Sequence, residues 1–214
     1  MRLRYTKGAL AAIAALSLAA GMPAASAAED HSKHLQHGQH GKNEPAPGKV
    51  QIKLPDTVLT DQNGKAVKFR TEVLADRLAV VNFIYTTCTT VCPVQSALIA
   101  DLQQRLGERS GKEVSLISVS VDPLRDTPLR LKEFAARYKA GPGWRFLTGS
   151  RQAVDEVLKA FDVYTPNFAD HPAAVLVGNP RSGEWVRLFG FPSTDQILAR
   201  MKELQPGVRS ARAD

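Results

Sequence analysis

Cysteine is scarce in this chain of 214 residues: there are 2, too few for a disulfide-stapled scaffold or for a zinc site built from four thiolates. Lys and Arg form no block and are not interleaved with aromatic residues, so no nucleic-acid surface is expected. No internal repeat is present. Nor does the chain lack apolar residues: at 43% hydrophobic and 23% charged it suits one globular domain with a sizeable core, not a disordered protein.

The formal net charge of +7 is partly contributed by the first residues, which read as an address. Arg2, Arg4 and Lys7 form a basic start, residues 8–20 are apolar, and Ala25-Ser26-Ala27 offers the small residues that a signal peptidase recognises. Cleavage is expected after Ala27. Retention as an anchor is the alternative, because residues 8–28 carry no charge over a length that about spans a bilayer, but the alanine content and Pro23 favour cleavage. Either way the domain is expected outside the cytoplasm, in the periplasm. Without Arg2, Arg4 and Lys7 the net charge falls to +4 over 187 residues, which no longer suggests an anionic partner.

Residues 28–48 are polar, rich in Gly, His and Lys, and read as a flexible tail; residues 49–206 carry the patterned domain, and residues 207–214 form a short basic tail. Within the domain, residues 57–60 and 66–69 flank Asp61-Gln62-Asn63-Gly64, a hairpin signal with positive φ expected at Asn-Gly. Residues 78–85 form an apolar run interrupted by Asn82, as in a central strand buried on both faces. Val94, Leu98, Leu102 and Leu106 predict a helix beginning near Pro93. A second buried strand is expected over 114–121, and a helix capped by Thr127-Pro128 carries Leu131, Phe134, Ala135 and Tyr138. Val154, Val157, Leu158 and Phe161 mark a third helix. Two strands, 173–177 and 186–189, flank a turn-rich connection, and Ser193 with Gln196 forms a capping box that opens the last helix. This alternation predicts an α/β domain with a mixed central sheet flanked by helices and an N-terminal β-hairpin; an early βαβ and a late ββα are the arrangement of thioredoxin-like folds.

Both cysteines, Cys88 and Cys92, fall in one junction between a buried strand and the following helix. If the helical turn has begun by Cys88, residues four apart share a face and the two sulfurs can approach each other or one ion. The partial positive charge of a helix N-terminus favours thiolate, the form that attacks disulfides and binds soft metals. The pair is therefore equipped for redox exchange, metal capture or both. A purely structural disulfide is the plain alternative, but a loop with so few intervening residues removes little unfolded-chain entropy.

A metal ion held by two cysteines needs further donors. The one histidine in the patterned domain, His171, stands just before a strand that a thioredoxin-like sheet places beside the cysteine junction. Two thiolates and an imidazole suit copper, Cu(I) through sulfur and Cu(II) through added nitrogen, better than zinc. His31, His34, His37 and His40 recur every third residue in the tail, a composition that can bind metal weakly or serve only as a soluble tail.

The motifs Asn82-Phe83-Ile84-Tyr85-Thr86-Thr87-Cys88-Thr89-Thr90-Val91-Cys92-Pro93, Ser118-Val119-Ser120-Val121-Asp122-Pro123 with Asp126-Thr127-Pro128, Leu147-Thr148-Gly149 and Asp170-His171 resemble those of the Sco/SenC family, copper-binding thioredoxin-fold proteins that help build cytochrome c oxidase. The resemblance implies Cys88, Cys92 and His171 as copper ligands, with Cys88 and Cys92 also a redox-active pair, and Asp122 as a residue supporting the metal site. It implies delivery to the binuclear copper centre of an oxidase subunit or another copper protein, alongside other periplasmic copper or thiol carriers. Residues 163–171 are shorter than the loop many family members carry, and Pro172 replaces a more usual small hydroxyl residue. Pro172 also stands near where thioredoxin relatives keep a cis-proline, so a cis His171–Pro172 bond is an expectation for the structure.

Three functions compete on these residues: a copper metallochaperone, a thiol-disulfide oxidoreductase that reduces the cysteines of a copper-receiving partner, and a peroxidatic enzyme. The close pair followed by Pro93 disfavours the last. His171 separates the first two, since metal binding needs it and disulfide exchange does not.

Overall fold

A computed structural model describes residues 48–205; the expected leader, the four tail histidines His31, His34, His37 and His40, and residues 206–214 lie outside the described residues. In chain order the elements are strands β1 (Lys49–Gln51), β2 (Val58–Asp61), β3 (Ala66–Lys68) and β4 (Leu78–Ile84), helix α1 (Val91–Leu106), β5 (Val114–Ser120), α2 (Pro128–Arg137), β6 (Trp144–Thr148), α3 (Arg151–Ala160), β7 (Ala174–Asn179), β8 (Glu184–Phe189) and α4 (Thr194–Glu203). The strands form one mixed sheet in the order β1-β8-β7-β4-β5-β6-β2-β3. β4, β5 and β6 run parallel, whereas β7 pairs antiparallel with both β4 and β8. The β4-α1-β5 and β7-β8-α4 units thus meet along the β4/β7 seam, as expected of a thioredoxin-like fold.

Alternation along the central strands explains why they read as continuous apolar runs. Ala79, Val81 and Phe83 of β4 enter one core with Val154, Val157, Leu158 and Phe161 of the α3 region. Leu78, Val80 and Ile84 enter a second core with Ile99 and Leu102 of α1, Phe134 of α2 and Ile197 of α4. Successive strand side chains point to opposite faces, so a sheet covered on both sides needs apolar residues at every position. Asn82 breaks the run, but its Oδ1 accepts from Ser118 Oγ at 2.6 Å and Trp144 Nε1 donates to that same Oγ at 2.9 Å.

Several expectations need correction. Strands β1 and β6 were not anticipated between the tail and the hairpin and between α2 and α3. Each is too short for its periodicity to stand out, and β1, with Lys49 and Gln51 exposed, is recruited through backbone pairing with β8. In α1 only the second half of the stripe Val94-Leu98-Leu102-Leu106 lies on the buried face, where Leu102 and Leu106 join Cys92, Gln95, Ser96 and Ile99, while Val94 is 52% exposed. A spacing of four advances about 400° per step, so such a stripe drifts off one face within a few turns. In the hairpin turn only Gly64 has positive φ, 81°; the Asp61 carboxylate accepts from the N–H groups of Asn63 and Lys65 and stabilises a longer loop that leaves Asn63 at negative φ. The His171–Pro172 bond is trans, with His171 extended at φ −61° and ψ 140°, the conformation a residue before proline favours without isomerisation.

The other terminal signals behave as read. Thr127 caps α2 by accepting from Arg130 N with Pro128 at the first helical position, and Ser193 and Gln196 form a reciprocal capping box on α4.

Candidate metal and thiol site

β4 delivers the chain to the C-terminal edge of the parallel strands and ends at Ile84. A turn follows, closed by Cys88 N donating to Tyr85 O at 3.1 Å, and α1 starts at Val91. The helix therefore begins after Cys88, not at it. The sulfurs still meet, because the turn folds Cys88 back over the helix N-terminus: Cys92 N donates to Cys88 Sγ at 3.3 Å. One of the unpaired N–H groups that every helix start carries is satisfied by sulfur, and Thr90, in the N-cap position, supplies no side-chain cap. Both thiols are free; Cys88 is 8% exposed and Cys92 fully buried, so Cys88 is the outer member of the pair.

This placement divides the two acidities. Burial alone would raise the Cys88 pKa, but the polar groups gathered around its sulfur, the Cys92 thiol and the N–H groups of Cys92 and Thr90 ahead of the Tyr85 hydroxyl, lower it from 9.0 to about 7. Cys92 is pushed up to about 12, first by burial and then by its hydrogen bond to Cys88. Tyr85 also rises to about 12, chiefly because its proton is engaged with Cys88. One thiolate near neutrality, held by its protonated neighbour, is the arrangement of a nucleophile and a resolving thiol.

The turn is clamped from β5. Asp126, 1% exposed, accepts from Thr86 N at 3.2 Å with each carboxylate oxygen, from Thr86 Oγ1 at 2.5 Å and from Ser120 Oγ at 2.6 Å. Asp126 belonged to a recognised motif but had no expected role, since its partner Thr86 lies 40 positions away and nothing local marks the pairing. Asp122 is 2% exposed and its Oδ2 accepts from Arg125 Nη1 at 3.1 Å. It reaches the site through Arg125, whose guanidinium carbon lies 5.8 Å from the centre of the Phe168 ring.

His171 follows a short turn, Phe168–Asp170, and its Nδ1 lies 2.8 Å from Phe168 O. Nδ1 is assigned as the protonated nitrogen by that contact, which leaves Nε2 with a free lone pair. The imidazole stands edge-on to Tyr85, ring centres 5.9 Å apart, and Phe168 packs on Tyr85 at 5.2 Å. His171 is thus brought beside Tyr85, the residue that follows β4 into the cysteine turn. The three candidate ligands do not close on one point: among the described residues no group of three His, Cys, Asp or Glu side chains is arranged to hold a metal ion.

The SCO1/SenC family model matches residues 49–204, which include every residue of this site. The chain belongs to the SCO1/SenC family. It is 41% identical over 104 residues to the SCO1 protein homolog of Bacillus subtilis, an alignment covering 47% of this chain and 52% of that relative. The chain spans about half the length of several curated relatives it matches. Among solved structures it is similar to BsSco, a member of the Sco family of cytochrome c oxidase assembly proteins in which a disulfide switch was identified. The identity there is 28% and the TM-score 0.60, covering 76% of this chain and 97% of that one. It is also similar to ScoI of Bradyrhizobium japonicum, solved with copper bound, at 27% identity and TM-score 0.58, covering 75% of this chain and all of that one. Cys88, Asp122 and His171 lie at one edge of the sheet, just after β4, just after β5 and just before β7. Among the described residues no helix is long and apolar enough to cross a membrane.

Proposed function

We propose that this protein is a periplasmic metallochaperone, exported by its leader, that carries copper as cargo to the binuclear copper centre of a cytochrome c oxidase subunit or to another copper protein. The observation that carries this reading is the pairing of its only cysteines at the C-terminal edge of the parallel strands, with the outer sulfur ionising near neutrality. Cys88 and Cys92 supply soft thiolate donors suited to Cu(I), and His171 Nε2 supplies the third. For His171 to join them its loop must shift. Residues 164–172 make hydrogen bonds only among themselves within the described residues, so a shift of the loop as a unit leaves the sheet's bonds intact. Asp122 supports that loop through Arg125 and Phe168. His31, His34, His37 and His40 form an auxiliary tract that collects Cu(II), on the strength of their spacing.

The test is a copper titration of the reduced protein beside Cys88→Ser, Cys92→Ser and His171→Ala. One equivalent bound by the parent and lost or weakened at least tenfold in each variant supports the carrier. Unchanged affinity and spectra in His171→Ala would sink the three-ligand site.

The acidity difference between the two thiols favours a second reading, reduction of a disulfide in a copper-receiving partner. Cys88 thiolate attacks one partner sulfur, forming a mixed disulfide and releasing the other as thiolate. Cys92 then loses its proton and attacks Cys88 Sγ, which frees the second partner thiolate and leaves the Cys88–Cys92 disulfide. Two electrons pass from the pair to the partner. His171 takes no part, so a His171→Ala variant that still reduces the partner but holds copper no better than the cysteine variants assigns the two activities separately.

A further inference from the structure

At the end of the sheet opposite the cysteines lies a cleft of about 580 Å³, a volume within the range of small-molecule sites. Its walls come from three connections: residues 51–54 leaving β1, Arg70 in the tight helical turn after β3, and residues 180–183 between β7 and β8. The first and third are tied together, because Ile52 N donates to Gly183 O at 2.9 Å. β7 begins just after His171 and takes six residues, roughly 20 Å of strand, to reach this end, so the cleft is separate from the metal and thiol site.

The lining of the cleft points to one class of ligand. Its charge is of a single sign: Lys53, Arg70 and Arg181 line it, and no Asp or Glu does. The carboxylates close by leave these cations largely unneutralised. Asp56 is engaged with the backbone N–H groups of Arg70 and Thr71, and Asp76 meets Arg181 only at 3.6 Å with both side chains well exposed, a pair that contributes little. Beneath the cations the floor is core, formed by Ile52, Leu54 and Trp185, each less than a tenth exposed. Trp185 adds a second, independent sign: its indole Nε1 is buried without a hydrogen-bond partner, a costly state for a donor removed from water. A cleft with unneutralised cations, an apolar floor and a donor lacking its acceptor is complementary to a molecule that brings negative charge, an apolar body and an acceptor together.

We propose that this cleft binds an amphipathic anion. Its carboxylate, phosphate or sulfonate head is held by Lys53, Arg70 and Arg181, and its apolar body lies on Ile52, Leu54 and Trp185, whose N–H donates to an acceptor on the ligand. The site goes beyond the carrier reading and does not rest on it: the ligand is held at one end of the sheet while Cys88 stays free at the other. The same chemistry is offered by a soluble organic anion and by the headgroup of an anionic phospholipid.

The experiment titrates the full-length chain with the fluorescent anion anilinonaphthalene sulfonate, with a thermal melt to confirm that each variant is folded. The parent should bind one equivalent saturably. Lys53→Gln, Arg70→Gln and Arg181→Gln combined should weaken binding at least tenfold, whereas Lys112→Gln, Lys132→Gln and Lys202→Gln combined, which remove as much exposed charge elsewhere, should leave it within twofold. Trp185→Phe keeps an aromatic ring and should bind about fivefold more weakly, the effect of one lost hydrogen bond; should that variant fail to fold, the two charge variants decide the matter. Dodecanoate should displace the probe at concentrations where inorganic phosphate does not. No saturable binding by the parent, equal binding by the Lys53/Arg70/Arg181 variant, an equal loss in the control variant, or displacement by phosphate as effective as by dodecanoate overturns the proposal. Sedimentation with phosphatidylglycerol vesicles but not phosphatidylcholine vesicles, lost in the same variant, assigns the ligand to a membrane headgroup; probe binding without sedimentation assigns it to a soluble anion.

Discussion

Replacing Asp126 by Asn tests whether the carboxylate beneath the cysteine turn holds that turn in place. The side chain is 1% exposed and receives Thr86 N, Thr86 Oγ1 and Ser120 Oγ. A hydrogen bond to a charged group contributes about 1.5–3 kcal/mol, against about 0.5–1.5 for a neutral pair. Asparagine keeps the size and one acceptor but turns an amide donor towards a hydroxyl that was itself donating. Losing about 1 kcal/mol at each of these contacts gives a destabilisation of about 3 kcal/mol. With a urea slope of about 2 kcal/mol per molar, the unfolding midpoint should fall by roughly 1.5 M. Asp122→Asn is the control: its partner Arg125 is 60% exposed, so screening limits that loss to about 1 kcal/mol or less. Because Thr86 is part of the turn that delivers Cys88, Asp126→Asn should also slow Cys88 alkylation at pH 7. A midpoint within 0.3 M of the parent, or a larger loss in Asp122→Asn, would refute the clamp; that margin is about 0.6 kcal/mol at the same slope.

Other outcomes follow from the same geometry. Alkylation of the reduced protein, read by peptide mass, should rise about tenfold per pH unit below pH 7 and level off above it at Cys88, while Cys92 stays unmodified at pH 9; equal labelling would remove the asymmetry. The lowered Cys88 pKa also stabilises the fold above its unfolded value of 9.0, a contribution lost as pH falls through about 7, and Cys88→Ser should remove that part of the pH dependence in urea unfolding. The raised Cys92 pKa acts oppositely: its contribution is present below 9.0 and lost as pH rises through about 12. Gly178→Ala should destabilise by about 3 kcal/mol, because a Cβ there would overlap the buried Trp185 indole; a melting temperature unchanged from the parent would contradict this packing.

Much of the fold was legible because burial leaves a local trace. β4 and β5 are covered on both faces and so spell continuous apolar runs, and Thr127-Pro128 and Ser193 with Gln196 announce helix starts through chemistry confined to a few neighbouring residues. β6 left no such trace, since Trp144–Thr148 is short and interrupted by Arg145. α1 misled for a different reason: its buried face includes Gln95 and Ser96, polar residues that composition assigns to the surface. Gln95 is tolerated because its amide donates to Gly190 O at 3.2 Å, across 95 positions of sequence.

The cysteine pair was readable from scarcity and spacing alone, and its place at a strand-helix junction already implied an acidic thiol. That Cys88 rather than Cys92 carries the charge was a tertiary decision, made by which sulfur lies deeper and which receives the surrounding donors. Asp126 and Tyr85 were visible as letters in the motifs, but the residues they meet, Thr86 and His171, lie 40 and 86 positions away and are brought near only by the β4-β5 and β4-β7 pairings. Sequence by itself supplied the candidate donors, because which side chains carry soft sulfur or imidazole nitrogen is local chemistry. The tertiary structure decided that these candidates do not close on one point, because distances between donors are properties of the packed sheet and not of any one segment.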